Sequence, residues 1–101
     1  MALVAEINDE LSDVLTSKMR IVFYIGLLKQ CTLSELREAM QASWSTINKL
    51  VPELYQEGLI EITEEKMTTG GMKKIVKLSK KGEAVFNKLL ELNYLLNNSD
   101  E

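Results

Sequence analysis

The sequence predicts a single, mainly α-helical domain that carries a small β-hairpin. Apolar residues recur at helical spacing before Gly58, alternate with polar residues just after it, and return to helical spacing beyond Ser79. The chain has 101 residues, of which 46% are hydrophobic and 27% charged, as in one soluble globular domain. We therefore expect residues 1–101 to form one domain around one core.

Two helices are predicted before residue 31. Residues 1–16 carry apolar side chains at spacings of three and four on one stripe, with acidic residues outside it. A second helix is expected from Lys18 to about Gln30, capped by Thr16 or Ser17. Its centre, IVFYIGLL, is apolar nearly all round and should therefore be the buried spine of the core.

A short helix is predicted next. Thr32 and Glu35 form the T-x-x-E pattern of a capping box, which starts a helix that should run through Met40. Only residues 41–43 separate it from the following helix, and so short a connection makes the two helices pack at a steep angle. The side chains expected to face inward are Leu33, Leu36, Ala39 and Met40.

The following helix begins after Ser43, its expected N-cap, and ends at Gly58, which suits a left-handed C-cap. Pro52 should kink or shorten this helix because it has no backbone N–H for the carbonyl of Asn48. The expected inward residues are Ile47, Leu50 or Val51, and Leu54.

After Gly58 the period changes from helical to two. Apolar and polar residues alternate over residues 60–63 and again over residues 76–79, which predicts a half-buried antiparallel pair of strands. Gly70 and Gly71 are expected to supply the positive backbone angles of the turn between them. A last helix is predicted to start at Lys80 or Glu83 and to end near residue 96.

The residues available for chemistry are limited, since histidine is absent and Cys31 is the single cysteine. A Ser-His or Cys-His nucleophile, a Cys/His zinc site and an internal disulfide are therefore excluded. The 15 aspartates and glutamates fall in polar stretches or on predicted wet faces, so no acid pair is marked as buried. The sequence predicts no enzyme, no metal and no cofactor, and Cys31 is expected to be an inert buried thiol.

The sequence also carries no sign of a membrane or export segment. Its longest nearly unbroken apolar run, residues 21–28, is far shorter than the roughly 20 residues that a span requires. The first residues carry acids where a secretory signal would carry a positive region. We expect a cytoplasmic protein with no membrane partner.

Three segments together resemble a known family. They are TLSELREAM (32–40), SWSTINKLVPELYQEGLIEI (43–62) and KLSKKGEAVF (77–86), and over residues 17–86 they look like the winged helix-turn-helix domains of bacterial and archaeal transcription regulators. STINKLVPELYQEGLI is similar to the STVxxxLxxLExxGLI pattern of MarR-like, ArsR-like and TrmB-like regulators, and LSKKG resembles their LTxKG. Pro52 departs from the pattern, and the paired Cys and His ligands of metal-sensing ArsR proteins are missing.

The resemblance implies sequence-specific binding of double-stranded DNA. A helix-turn-helix places the N-terminal half of its second helix in the major groove. Asn48 then suits adenine, and Lys49 suits guanine or a phosphate. The candidate DNA-binding residues here are Ser43, Trp44, Ser45, Thr46, Asn48 and Lys49. The alternative interpretation is structural: a cap at Ser43, cover for the core edge at Trp44, and a solvated face at the other positions.

The hairpin, or wing, is predicted to be cationic. Residues 69–82 carry five lysines and no acid, whereas residues 1–17 carry four acids and no base. Because phosphate binding depends on the local field, the net charge of −3 does not exclude DNA as a partner. The wing candidates for the DNA backbone or minor groove are Lys66, Lys73, Lys74 and Lys77, with Lys18, Arg20 and Arg37 as secondary candidates. Lysines at a sheet edge also serve to prevent strand pairing.

The two ends of the chain predict a homodimer. Residues 83–97 follow a seven-residue rhythm whose apolar stripe is wider than one small core covers, and residues 1–16 carry a stripe of their own. Regulators that read a half-site with one helix gain affinity from two-fold symmetry. The predicted interface residues are Val4, Ile7, Leu11, Val85, Leu89, Leu92 and Leu96. Alternatively, both helices cap their own monomer.

The leading hypothesis is thus a dimeric transcriptional regulator. A winged-helix module that binds another protein and no DNA is the alternative, because the same fold serves both purposes. A small-molecule effector bound at the dimer interface is compatible with the first hypothesis, but the sequence names no ligand.

Overall fold

The computed structural model describes residue 13 and residues 15–97, and it confirms a mainly helical fold with a β-hairpin. The elements are α1 (Ser17–Leu28), β1 (Gln30–Thr32), α2 (Leu33–Met40), α3 (Trp44–Gln56), β2 (Ile60–Lys66), β3 (Met72–Leu78) and α4 (Lys80–Asn97). The stripe predicted for the first helix, with Val4, Ile7 and Leu11, lies outside the described residues.

Helix α1 is the centre of the core, as its apolar sequence predicts. The hydroxyl of Thr16 accepts a hydrogen bond from the backbone N–H of Met19 at 3.3 Å, so Thr16 is the N-cap. Gly26 leaves no room for a side chain, because the ring of Phe86 in α4 lies directly against it. The buried residues of α1 are Ile21, Val22, Phe23, Ile25 and Gly26.

Helix α1 ends at Leu28, two residues before the predicted end, because the chain turns at Lys29. Lys29 has φ 74° and ψ −62°, which is outside the helical region. The next three residues form β1, which pairs antiparallel with β3 and sets Cys31 opposite Val76. The sequence gives no sign of β1, because three residues are too few for an alternating pattern and the strand exists only through its pairing.

Helix α2 starts with the predicted capping box. The Thr32 hydroxyl accepts from the Glu35 N–H at 3.1 Å, and the Glu35 carboxylate accepts from the Thr32 N–H at 2.9 Å. Leu36 is buried, but Ala39 is exposed, so the prediction for Ala39 was wrong. The inward stripe of this short helix consists of Leu36 and the half-buried residues three before and four after it, and Ala39 lies about a quarter-turn outside that stripe.

Helix α3 begins after the predicted N-cap Ser43 and continues through Pro52 to Gln56. Pro52 therefore does not shorten the helix, since one exposed proline removes one hydrogen bond while the buried stripe still anchors both sides of it. Gly58 has φ 78°, as expected for the residue that ends the helix. The buried stripe is Ile47, Val51 and Leu54.

The three strands form one antiparallel sheet in the order β1-β3-β2. Strands β2 and β3 are the predicted hairpin, with Ile62 opposite Val76. At the turn Gly70 has φ 99°, whereas Gly71 does not have a positive φ. The prediction for Gly71 was wrong because the connection closes with one left-handed residue, helped by a 2.7 Å hydrogen bond from the Met67 N–H to the Gly71 carbonyl.

The wing has two parts that are built differently: a wing base (residues 58–61 and 76–82) and a wing tip (residues 64–74). In the wing base, the Ser79 hydroxyl donates to the Gly58 carbonyl at 2.5 Å and accepts from the Gly82 N–H at 3.1 Å. The Ser79 N–H donates to the Leu59 carbonyl at 3.1 Å. A Cβ at Gly82 would overlap that same carbonyl. The LSKKG motif is therefore explained by packing.

Helix α4 is half-buried at its start and exposed along one side of its end. Phe86 packs against the chain's own core together with Val85 and Leu89. Farther along, Leu92 is 41% and Leu95 62% exposed, while Leu96 is half-buried. Among the described residues, no helix is both long and apolar enough to span a membrane.

Candidate nucleic-acid interface

The first turn of α3 is held by its cap. The Ser43 hydroxyl accepts from the Thr46 N–H at 3.2 Å and lies 3.1 Å from the Thr46 hydroxyl and 3.4 Å from that of Ser45. Because Ser43, Trp44 and Ser45 are all exposed, the remaining N–H groups of this turn are open to an acceptor from outside. An anion placed here would also be favoured by the helix dipole.

The outer face of α3 is continuous and carries no acid. Trp44 and Asn48 lie one turn apart, as do Ser45 and Lys49, and Pro52 continues the first row. All five side chains are exposed, opposite the buried stripe of the same helix. The sequence has no aspartate or glutamate from position 43 to position 52, so Lys49 sets the sign of the charge on this face.

Trp44 is paired with a cation from α2. The guanidinium carbon of Arg37 lies 5.0 Å from the centre of the Trp44 ring, which is cation–π distance. Arg37 is half-buried, and its Nε is buried without a hydrogen-bond partner among the described residues. The sequence did not suggest this pair, although a seven-residue separation across a helix-turn-helix permits it.

The wing is less cationic than its second strand suggests. Strand β2 holds Glu61, Glu64 and Glu65, and the register places them opposite Lys77, Lys74 and Lys73 in turn. The two strands thus carry four lysines against three glutamates. Lys77 and Glu61 form an ion pair at 3.8 Å. The excess of positive charge on the wing is therefore smaller than the lysines of β3 alone suggest, because β2 pairs three glutamates with them.

The register also divides the wing lysines between two faces of the hairpin. Lys66 and Lys74 lie on the face that includes the core residues Ile62 and Val76, and Lys73 and Lys77 lie on the other face. The structure brings Lys74 together with Asn48, because both border a cleft of about 130 Å³ between α3 and the wing. The cleft is lined by Leu33, Ile47, Asn48, Val51, Pro52, Ile62, Lys74 and Val76.

A second junction, at the start of α2, was not suggested by the sequence. The start of α2, with Thr32 and Ser34, borders the same open depression as Met72, Lys73 and Lys74. The capping box marked this helix start, but only the pairing of β1 with β3 places it beside the wing. The N-terminus of α2 thus borders Lys73 and Lys74, and the middle of α3 borders Lys74.

Two of the three secondary basic candidates, Lys18 and Arg20, make contacts around the start of α1. Lys18 contacts Glu57 at 2.6 Å and Glu53 at 3.3 Å, and the hydrogen bond to Glu57 is the main cause of the raised pKa of its ammonium group. Arg20 donates to the Leu15 carbonyl at 3.2 Å. Lys18 therefore ties α1 to the end of α3, and the bonds of Arg20 to Leu15 and Ser17 lie at the start of its own helix.

Cys31 is buried, as predicted. Burial raises the pKa of its thiol to about 11, with a further contribution from the charge of Glu35. The thiol therefore stays protonated at neutral pH, the state in which a cysteine is least reactive. No cluster of three or more metal-binding side chains occurs within the described part of the chain.

Two of three comparisons with known proteins return no match: no protein-family model matches the chain, and no curated protein does. Solved structures do match. FabT from Streptococcus pneumoniae in complex with DNA gives a TM-score of 0.74 at 17% identity, over 86% of this chain and 59% of that one. A MarR mutant from E. coli complexed with operator DNA gives 0.66 at 19% identity, over 84% and 61%.

A third structure is the adhesin competence repressor AdcR from Streptococcus pyogenes, with a TM-score of 0.71 at 16% identity over 86% of this chain and 63% of that one. The present chain spans about three fifths of the length of these three structures. At such identities the likeness establishes the fold. The chain has the winged helix-turn-helix fold that these proteins share, as its sequence resemblance to MarR-like regulators predicted.

Proposed function

We propose that this chain is a dimeric transcriptional regulator that binds double-stranded DNA in a sequence-specific way. The outer face of α3 carries the proposal: it is exposed, free of acid from position 43 to position 52, and begins at an open helix N-terminus. Two of the structurally similar proteins are bound to DNA. The second helix of a helix-turn-helix is the element that enters the major groove, and a face without acids is not repelled by the phosphates beside it.

In this proposal the first half of α3 enters the major groove. Asn48 reads adenine through its amide, and Lys49 reaches guanine or a phosphate. Ser43 and Thr46 contact a phosphate through their hydroxyls and the N–H groups of the first turn. Trp44 and Ser45 complete the surface that faces the bases.

The wing supplies a second, salt-dependent contact. Lys66, Lys73, Lys74 and Lys77 approach the backbone or the minor groove, where each neutralised phosphate releases counterions. The glutamates opposite three of these lysines weaken the field. Affinity on this surface therefore rests on a small excess of positive charge, with sequence preference left to α3.

A homodimer would bring two such surfaces onto one site. The exposed leucines at the end of α4 support this, since Leu92 and Leu95 share a face with Leu96 and Tyr94 is 67% exposed. Val85 and Leu89, also predicted for the interface, bury part of their surface against the chain's own core. A strictly monomeric mass in sedimentation at micromolar concentration would contradict this part of the proposal.

The experiment is selection of bound sequences from a random pool of duplex DNA, followed by comparison of the wild type with Asn48→Ala. Loss of one bidentate base contact should reduce discrimination at one base pair per half-site by about 1–3 kcal/mol while affinity for random DNA stays nearly the same. Asn87→Ala, an exposed asparagine on α4, is the matched control. Equal losses on selected and random DNA would contradict the role of Asn48.

The same experiment separates the alternative function. A winged-helix module that binds protein would retain no duplex even at low salt, where non-specific binding is strongest. Salt-sensitive binding to random duplex, followed by enrichment of one sequence, supports the regulator.

A further inference from the structure

The Trp44 side chain lies at the start of α3, the helix proposed to read bases. Neither the helix cap nor the core requires an aromatic ring at this position. Trp44 is the single tryptophan of the chain and the first residue of α3, and 43% of its surface is exposed. A large apolar ring left open at a helix start next to serines is not required by the core, because α3 anchors itself through a buried stripe on its other side.

Arg37 fixes the orientation of this ring. Its guanidinium carbon lies 5.0 Å from the ring centre, so one face of the indole is occupied by a cation that reaches across from α2. The buried Nε of Arg37 makes no hydrogen bond to any described residue. The cation–π contact with the Trp44 ring therefore offsets part of the cost of burying the guanidinium group. The exposed remainder of the indole is thus an apolar surface held in a set direction.

The major groove offers one apolar group, the 5-methyl of thymine. Guanine, cytosine and adenine present acceptors and amino groups there, and an indole with one N–H donor cannot satisfy them in a bidentate way. Stacking of the indole on a base face would require an unstacked base, which an intact duplex does not present to a helix in its groove.

We infer that Trp44 contacts the 5-methyl group of a thymine in each half-site, with Arg37 as the residue that positions the ring. The inference rests on the proposed function and adds a chemical group to it: the preferred site contains thymine at a fixed position relative to the base read by Asn48. Asn48 lies one helical turn beyond Trp44 on the same face, so the two bases are neighbours or nearly so.

The test replaces thymine by deoxyuridine, which removes only the methyl group, at each position of the selected sequence in turn. At one thymine per half-site the wild type should lose about fourfold in affinity, the factor that corresponds to burial of one methyl-sized group. Trp44→Ala should bind the two duplexes equally well. Arg37→Gln should reduce the ratio of the affinities for the thymine and deoxyuridine duplexes without abolishing binding. A purely structural role of Arg37 would not produce this effect.

Tyr55→Ala is the matched control, because Tyr55 is an aromatic residue on the same helix, 54% exposed and remote from its N-terminus. It should keep the full fourfold ratio. A second measurement needs no variant: with 5-bromodeoxyuridine at the same position, the bromine replaces the methyl and should quench the emission of the single tryptophan on contact.

The outcomes are distinguishable. If the wild type and Trp44→Ala show the same ratio at every thymine, and bromine does not quench the emission at any position, the inference is overturned while DNA binding stands. If no sequence is enriched and no duplex is bound, the proposed function fails and the inference fails with it.

Discussion

The wing base and the wing tip lie on the same hairpin but are held by different forces. In the wing base, Ser79 bonds to Gly58 and Gly82, and the backbone of Gly82 lies against the Leu59 carbonyl. In the wing tip every side chain is exposed, and glutamates of β2 lie opposite lysines of β3. Close packing and hydrogen bonds hold the wing base, whereas the wing tip consists of exposed side chains, many of them charged.

This difference shows which part of a sequence motif carries function. The LSKKG segment, which supports the family resemblance, belongs to the wing base, where Leu78 and Gly82 are buried and Lys81 donates to the Glu57 carbonyl at 3.1 Å. Three of the four wing lysines proposed to contact DNA, Lys66, Lys73 and Lys74, lie in the wing tip, outside the motif. A motif of this kind therefore identifies the fold and leaves the partner open.

The largest effect is expected from a methyl group added to the wing base. Gly82→Ala would place a Cβ onto the Leu59 carbonyl oxygen, and because backbone atoms cannot move aside, the free energy of unfolding should fall by about 3 kcal/mol. For a domain of this size the melting temperature would drop by roughly 10 °C or more. The drop in melting temperature is measured by thermal unfolding at one fixed protein concentration, followed by circular dichroism.

The matched control is Gly71→Ala in the wing tip. A Cβ there would meet only the Met67 sulfur at 3.8 Å, and the residue does not have a positive φ, so stability should change by less than about 0.5 kcal/mol. Alanine is a better helix former than glycine by about 1 kcal/mol. A Gly82→Ala variant more stable than the wild type would therefore show that the contact with Leu59 is absent.

A second prediction concerns the wing tip and should affect DNA binding without affecting stability. If Lys73 and Lys74 each neutralise one phosphate, Lys73→Glu combined with Lys74→Glu should flatten the plot of log affinity against log salt by about 0.9 per contact. At 50 mM salt the loss of two contacts corresponds to about a hundredfold in affinity. Lys88→Glu, an exposed lysine on α4, makes half of this charge change far from the wing.

The melting temperature of the double variant should stay near that of the wild type, because both lysines are exposed. An unchanged salt slope would remove the wing from the DNA interface. If the loss in log affinity is only twice that of Lys88→Glu, which makes half the charge change, only the net charge of the chain matters.

The fold could be predicted from local patterns, and the site only in part. The capping box of α2, the N-cap of α3 and the buried stripes of both helices are short-range signals, since a helix repeats its environment every three or four residues. Strand β1 and the wing charges depend on pairing between distant segments: the three residues after Lys29 become a strand only against β3, and the lysines of β3 meet their glutamates only through the β2 register. The Arg37–Trp44 contact is of the same kind.

The smallest predicted effect tests that register directly. Glu65 lies opposite Lys73, and both are exposed, so Glu65→Gln removes a negative charge from the surface proposed to approach phosphate while keeping the size of the side chain. Affinity for duplex DNA should rise about twofold at low salt, which corresponds to a fraction of a kcal/mol, as is usual for exposed charges.

The gain in affinity should disappear as salt is raised. At 0.1 M salt, repulsion between an exposed carboxylate and the phosphates is screened beyond about 10 Å. Glu91→Gln, an exposed glutamate on α4, changes the net charge of the chain by the same amount and should leave affinity unchanged if the wing, and not the whole chain, faces DNA. If both variants gain equally, the attraction is set by total charge. If Glu65→Gln binds more weakly than the wild type, the glutamate orients Lys73 toward DNA, and the opposed charges of the wing tip are then a positioning device rather than a hindrance.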